Sequence, residues 1–230
     1  MRVFEALARL GLALPTPSSL SSNWPLFASL SHYVCTLGCI VGYSVALTAL
    51  LYLGTLYADF RGKVLPGQRH FRKDNGLQCI RNYVVAPISE ELVFRASMLA
   101  TIQYAEPPVS LACKIFATPL YFGLAHVHHA WEMFALHGKT RHAMHSALLS
   151  SALQFAYTIV FGWYADALFL RTGSVLAPCA AHIVCNAMGL PRVARDAKTT
   201  SIVLSVVGLA AFAYAFGPLT SVALFGGYMD

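Results

Sequence analysis

Three short patterns put residues able to drive hydrolysis inside stretches that are otherwise apolar. The first is Ala86-Pro87-Ile88-Ser89-Glu90-Glu91-Leu92-Val93-Phe94-Arg95, whose last six positions hold two carboxylates and a guanidinium. An ionised side chain at mid-bilayer costs about 2.5–3.5 kcal/mol on insertion scales, so such a trio needs mutual pairing or a wet cavity. On a helix Glu91 and Arg95 are i,i+4 neighbours that neutralise each other, whereas Glu90 is rotated about 100° away and stays available. The second pattern is Phe122-Gly123-Leu124-Ala125-His126-Val127-His128-His129, and the third is His182-Ile183-Val184-Cys185-Asn186. Helical spacing sets Phe122 and His126 on one face, and His182 and Asn186 on one face of a later helix.

A carboxylate, two imidazoles and a carboxamide suit hydrolysis of an amide. The carboxylate takes a proton from water with help from one imidazole, while the other imidazole and the carboxamide donate to the developing oxyanion. No covalent nucleophile is needed. The chain lacks GxSxG, HExxH and a GxGD-like aspartate element, which removes the signatures of serine hydrolases, zincins and intramembrane aspartyl proteases. Other readings of the same residues stay open. Glu90, His126 and His182 also form a ligand set for zinc with an open position. The Glu-Glu-Arg cluster is also what a purely structural ion pair at a helix end looks like, and a lone histidine on an apolar helix is ordinarily a satisfied core residue.

These residues have to be positioned by membrane helices. Of the 230 residues 57% are hydrophobic and 11% charged, with a mean hydropathy of +0.58. That is too little charged surface to cover a water-soluble globule of this size, which excludes a soluble enzyme, a nucleic-acid-binding module and a disordered chain. The expected fold is all-α, a polytopic transmembrane helix bundle of about six spans. Residues 26–58 contain no Asp, Glu, Lys or Arg. As a helix they would reach about 50 Å against a hydrocarbon core of about 30 Å, so this first span must tilt, bend or begin in the interface. Further spans are expected at about 83–104, 109–127, 143–164, 175–190 and 202–225, punctuated by Pro107-Pro108, Gly173-Ser174 and Pro191. Residues 1–25 read as an N-terminal interfacial segment, with an amphipathic helix rather than a signal peptide at 1–14. Residues 26–230 form one membrane domain with its motif core at 80–200.

The net charge of +6 serves topology. Arg61, Lys63, Arg69, Arg72, Lys73, Arg81, Lys139, Arg141, Arg192, Arg195 and Lys198 follow spans one, three and five; only Arg171 falls on the opposite side. The positive-inside rule therefore puts the first set in the cytosol and both termini on the far side. At about 1.5 Å per residue, Glu90, His126 and His182 then all lie in the cytosolic half of the bilayer. The remaining conspicuous residues have plainer explanations. Cys35, Cys39, Cys113, Cys179 and Cys185 are expected to pack in the core, without a disulfide framework or thiolate zinc site. Gly38 and Gly42 suit close helix packing or a dimer. Asp166 is expected at a membrane interface, Lys114 to snorkel to luminal headgroups, and Trp131 and Trp163 to anchor at the interfaces. His128, His129 and Glu132 are expected in a solvated loop or supporting the site from behind.

The ordered triple Glu90-Glu91-x-x-x-Arg95, Phe122-x-x-x-His126 and His182-x-x-x-Asn186, on three separate apolar segments, resembles the type II CAAX prenyl endopeptidases, the Ras-converting proteases of the endoplasmic reticulum. The likeness extends through Arg81-Asn82-Tyr83-Val84-Val85-Ala86-Pro87, Phe94-Arg95-Ala96-Ser97-Met98-Leu99, His126-Val127-His128-His129 and Cys185-Asn186-Ala187-Met188-Gly189-Leu190-Pro191, in the manner of the eukaryotic branch. The resemblance implies removal of the last three residues from isoprenylated CAAX proteins. It makes Glu90 and His126 the activators of water, His182 and Asn186 the oxyanion site, and Glu91, Arg95 and Phe122 their support. It further implies no metal or other cofactor, a multi-pass location in the endoplasmic reticulum with the site open to the cytosol, and farnesylated or geranylgeranylated partners such as Ras-like GTPases. Membrane lipids, and no nucleic acid, complete the expected partners. Only one long apolar segment precedes Glu90, where eukaryotic members usually have several. A non-catalytic scaffold of the same superfamily is the alternative, and a transporter lacks the expected internal repeat.

Overall fold

The computed structural model describes residues 2–12, 26–65, 68, 76–125 and 128–228, and the regular elements among these are all helices. A helix satisfies its backbone groups internally, which a bilayer cannot do for it. The helices are α1 (Arg2–Arg9), α2 (Leu26–Leu51), α3 (Leu53–Gly62), α4 (residues 76–103), α5 (Leu111–Phe116), α6 (Thr118–Ala125), α7 (His128–Leu136), α8 (Arg141–Thr172), α9 (Leu176–Met188), α10 (Lys198–Leu219) and α11 (Val222–Phe225).

Three stretches are individually long and apolar enough to cross a bilayer: Tyr33–Leu51 of α2, α8 and α10. The other expected spans are more broken than their hydropathy suggests. The 26–58 segment bends at Tyr52 (φ −97°, ψ 12°), which separates α2 from α3. The 109–127 segment divides at Ala117 into α5 and α6, and α9 has only 13 residues. Starts are capped locally: Ser110 and Thr140 side chains accept the backbone N–H groups of Cys113 and Ala143.

α9 lies at the centre, packed against α2, α4 and α8, while α10 lies along α2 and α3, and α8 runs past α5, α6 and α7. Ile40, Leu47, Phe122, Phe161, Leu168 and Ala181 form the core between them. In lipid the gain from such contacts is close packing rather than water exclusion, so small residues occupy the crossings. Gly208 of α10 is one: a Cβ there would run into the Leu50 carbonyl. The two ends of the bundle are tied by different bonds. At one end Arg61 bonds Asp196 and Arg192 bonds Asp59, so the last turns of α3 and the chain after α9 share that end. At the other, Arg171 donates to Thr220 and Gly217, and the Tyr228 hydroxyl donates to the carbonyls of Ala8 and Arg9 on α1.

Several expectations need correction. Asp166 is buried in the bundle rather than interfacial, because partners arrive from α4 and α6. Lys114 is buried as well, on a short helix that packs against α8 instead of reaching for headgroups. His128, His129 and Glu132 are not loop residues: the chain resumes helix there as α7, which lies along α8. Cys35 and Cys113 are exposed, leaving Cys179 and Cys185 as the buried thiols. Among the described residues Gly38 and Gly42 have no atom within 4 Å of a Cβ position, so neither serves a close crossing there.

Candidate active site

α4 supplies the carboxylates, and its local winding prepares the rest. Its α-helical stretch Ala86–Glu91 is flanked by π-helical Arg81–Val85 and Leu92–Leu99. In the first π turn the Ala86 N–H bonds the Arg81 carbonyl, five residues back. The corresponding donor for Asn82 would be residue 87, a proline without an N–H, so the Asn82 carbonyl is left over. Asn186 of α9 takes it, donating from Nδ2 at 2.8 Å. That bond sets the orientation of the carboxamide, and its second N–H has no partner among the described residues.

One turn further along α4, Glu91 and Arg95 are both buried. Arg95 Nη1 lies 3.2 Å from Glu91 Oε1 and 3.0 Å from Oε2. Its Nε donates to Asp166 Oδ1 at 2.9 Å and its Nη2 to the Gly162 carbonyl at 3.4 Å, both on α8. The guanidinium also stands 5.0 Å from the Phe122 ring centroid and 5.8 Å from that of Phe161. A planar fork with aromatic walls and three directed acceptors is a use only arginine can fill. Gly162 is required at this crossing, since a Cβ there would meet Pro119 of α6.

His182 links this buried cluster to the surface of a cavity. Its Nδ1 lies 2.7 Å from Glu91 Oε1. Glu91 Oε1 already accepts from Arg95 Nη1, so the imidazole donates to it through Nδ1–H and turns Nε2 outward. Nε2 is 3.7 Å from Glu90 Oε2, an ion-pair separation too long for a hydrogen bond. The ring is clasped by Phe161 and Phe122, at centroid distances of 4.8 Å and 6.3 Å. Glu90, Phe122, His182 and Asn186 line a cavity of about 190 Å³ together with Gln154, Tyr157, Thr158, Phe161 and Cys185. Glu91 and Arg95 stand directly behind it. His126, assigned from the sequence as an activator of water, lies outside the described residues. Among the described residues no three His, Cys, Asp or Glu side chains are grouped to hold a metal ion.

Sequence reasoning missed the α8 wall. Gln154, Tyr157, Thr158 and Phe161 recur at helical spacing, and the polar members within an apolar run were the available signal. It also missed the clamp beneath the cavity, where the Tyr52 hydroxyl meets that of Tyr157 at 2.5 Å and donates to the Gly189 carbonyl at 3.0 Å. Gly189 adopts φ 64°, ψ −150°, a conformation reserved for glycine, and so ends α9 just beyond Asn186.

A family model described as type II CAAX prenyl endopeptidase Rce1-like matches residues 73–188, half of the chain and the whole of this cavity. The chain belongs to that family. Among its relatives, CAAX prenyl protease 2 of Homo sapiens is 35% identical over 194 residues, covering 78% of this chain and 57% of its own. CAAX prenyl protease 2 of Arabidopsis thaliana is 41% identical over 140 residues, 61% of this chain and 43% of its own. A probable CAAX prenyl protease 2 of Schizosaccharomyces pombe is 41% identical over 111 residues, 48% of this chain and 39% of its own. The chain spans about half the length of the curated relatives it matches. No solved structure matches this member of the prenyl endopeptidase family.

Proposed function

We propose that the protein is an intramembrane endopeptidase that removes the last three residues from isoprenylated proteins ending in Cys-aliphatic-aliphatic-X. The observation that carries this reading is the pairing of Glu90 with an oriented His182 on a cavity wall that also holds Asn186. Glu90, with His126, takes a proton from a water molecule, and the resulting hydroxide attacks the carbonyl carbon of the prenylcysteine residue. The tetrahedral oxyanion is met by Nε2–H of His182 in its imidazolium form, whose other proton stays on Nδ1 toward Glu91, and by the second N–H of Asn186. Collapse breaks the C–N bond, the proton held by Glu90 passes to the leaving amine, and a prenylcysteine carboxylate remains. No covalent intermediate and no metal take part. Farnesylated or geranylgeranylated proteins, Ras-like GTPases among them, are the substrates; that the relatives are CAAX prenyl proteases supports the prenylated CAAX class. The reaction takes place in the endoplasmic reticulum membrane, with the peptide entering from the cytosol and the prenyl chain from lipid. The basic loops would repel a polybasic substrate tail, so they serve topology and lipid headgroups.

The test is release of the tripeptide from a farnesylated peptide by the full chain in lipid nanodiscs. Glu90→Ala and His182→Ala are each expected to lower kcat by about 10²–10⁴-fold. Wild-type cleavage by both variants would mean that the site is elsewhere, and a wild type that cleaves nothing favours a non-catalytic scaffold. Activity is expected to survive strong chelation, with no stoichiometric metal by mass spectrometry. Complete loss restored by zinc would instead make Glu90, His126 and His182 ligands.

A further inference from the structure

Asp166 belongs to none of the three motifs, yet it is 2% exposed in the C-terminal part of α8. Its carboxylate meets Arg95 Nε at 2.9 Å and accepts from the Thr118 hydroxyl at 2.7 Å. Arginine and a single carboxylate ordinarily pair side on, with two N–H groups occupying both oxygens. Here the Nε edge of Arg95 is taken by Asp166 and Nη2 by the Gly162 carbonyl, so Glu91 meets the guanidinium through Nη1 alone. Glu91 Oε1 therefore takes one guanidinium N–H, at 3.2 Å, and keeps a lone pair for His182 Nδ1 at 2.7 Å, while Oε2 is buried without a hydrogen bond among the described residues.

We infer that Asp166 is a positioning residue for the cavity: by holding the far edge of Arg95 it confines Glu91 to one guanidinium nitrogen and leaves Glu91 Oε1 a lone pair with which to orient His182. Without that acceptor, Nε would be buried and unsatisfied, and the cheapest remedy is rotation of the guanidinium onto Glu91. The carboxylate would then turn from His182, and Nε2 would lose its aim at the cavity. The effect on catalysis rests on the hydrolase reading; the effect on the His182 ring does not.

Both effects can be measured on the full chain in nanodiscs. With ¹⁵N-labelled histidine, the Nδ1–H resonance of His182 is assigned by its disappearance in His182→Gln. Asp166→Leu removes the acceptor at similar volume. It is expected to lower kcat on a farnesylated peptide by about 10–100-fold, the range seen when the partner behind a working imidazole is lost at metal sites, with KM within about twofold. The His182 resonance should shift or broaden in the same variant. Asp166→Asn retains an oxygen for Arg95 Nε and is expected to restore the resonance and to bring kcat within about threefold of wild type. A merely structural role would reduce the yield of folded protein without moving kcat per folded molecule or the resonance. Wild-type kcat with an unmoved resonance in Asp166→Leu overturns the inference, as does a change in KM alone, or an Asp166→Asn variant no better than Asp166→Leu. If Asp166→Leu does not fold, Asp166→Ser withdraws the acceptor from Arg95 Nε at lower steric cost, and an unmoved His182 resonance there also overturns it. A wild type that cleaves no prenylated peptide refutes the protease reading, and the histidine resonance then decides the positioning role by itself.

Discussion

The Arg95 cluster and the Arg61–Asp196 pair use the same groups at similar separations, 2.9 Å from Arg95 Nε to Asp166 and 3.2 Å from Arg61 Nε to Asp196. They differ in depth. The Arg95 and Glu91 side chains are 1% and 0% exposed, whereas those of Arg61 and Asp196 are 49% and 58% exposed. Between them stands Arg192–Asp59, also at 2.9 Å, with side chains 56% and 9% exposed. Burying an ion costs several kcal/mol that its partner only roughly returns, so well-packed apolar residues could hold the same helices as firmly. What the buried cluster supplies instead is direction: each acceptor around Arg95 faces one nitrogen, and the last of them aims His182. The exposed pair has no such demand on it and serves as a tether between the end of α3 and the segment after α9.

Depth should therefore rank the consequences of breaking each pair. Arg95→Ala strands Glu91 and Asp166 in the bundle and is expected to cost about 3–5 kcal/mol, read from unfolding of the full chain in nanodiscs. Arg95→Lys should recover only part, because one ammonium cannot replace a fork shared by two carboxylates and a carbonyl. The comparison is sharpest in the triple variant Glu91→Leu, Arg95→Met, Asp166→Leu, which removes every charge of the cluster at once. Its stability is expected to return most of the way to wild type while peptide cleavage is lost. A triple variant as unstable as Arg95→Ala would make the cluster a structural feature and not a directional one. At middle depth, Asp59→Asn is expected to cost about 1–2 kcal/mol, the scale of one charge-assisted hydrogen bond with a partly solvated partner.

What could be read from the sequence follows from the range of each interaction. The helical membrane bundle was legible because composition alone prohibits a soluble surface. The Glu91–Arg95 pair and the free side of Glu90 were legible because both are properties of one helix turn. Asp166 was not, because its partners Arg95 and Thr118 are 71 and 48 residues away, and an isolated acid in an apolar run looks the same whether it faces headgroups or a buried guanidinium. The break at Tyr52 and the split at Ala117 escaped hydropathy for a related reason: an apolar run stays apolar through a bend. Pro87 carried a usable signal. A proline just ahead of the double glutamate removes an N–H from the helix ladder, and the freed Asn82 carbonyl is where Asn186 is held.

The smallest effect belongs to Arg61–Asp196, and its pH dependence separates it from the deeper pairs. The Arg61 guanidinium donating to Asp196 holds that carboxyl below the usual aspartate range, so the folded value lies under the unfolded one of about 3.9. A group with a depressed folded value contributes its full share above the unfolded value and loses it only as pH falls through the folded one. Acidifying from pH 7 to pH 5 should therefore leave the tether intact, whereas raising salt to about 1 M, where the screening length is about 3 Å, should loosen it at any pH. Arg61→Ala and Asp196→Asn are expected to leave the global unfolding midpoint within experimental scatter of wild type. The change should appear locally, as faster hydrogen exchange between Val193 and Asp196 that high salt reproduces in the wild type. A midpoint that falls as far in Arg61→Ala as in Asp59→Asn would break the ranking by depth, because a solvent-screened pair would then be holding the bundle together.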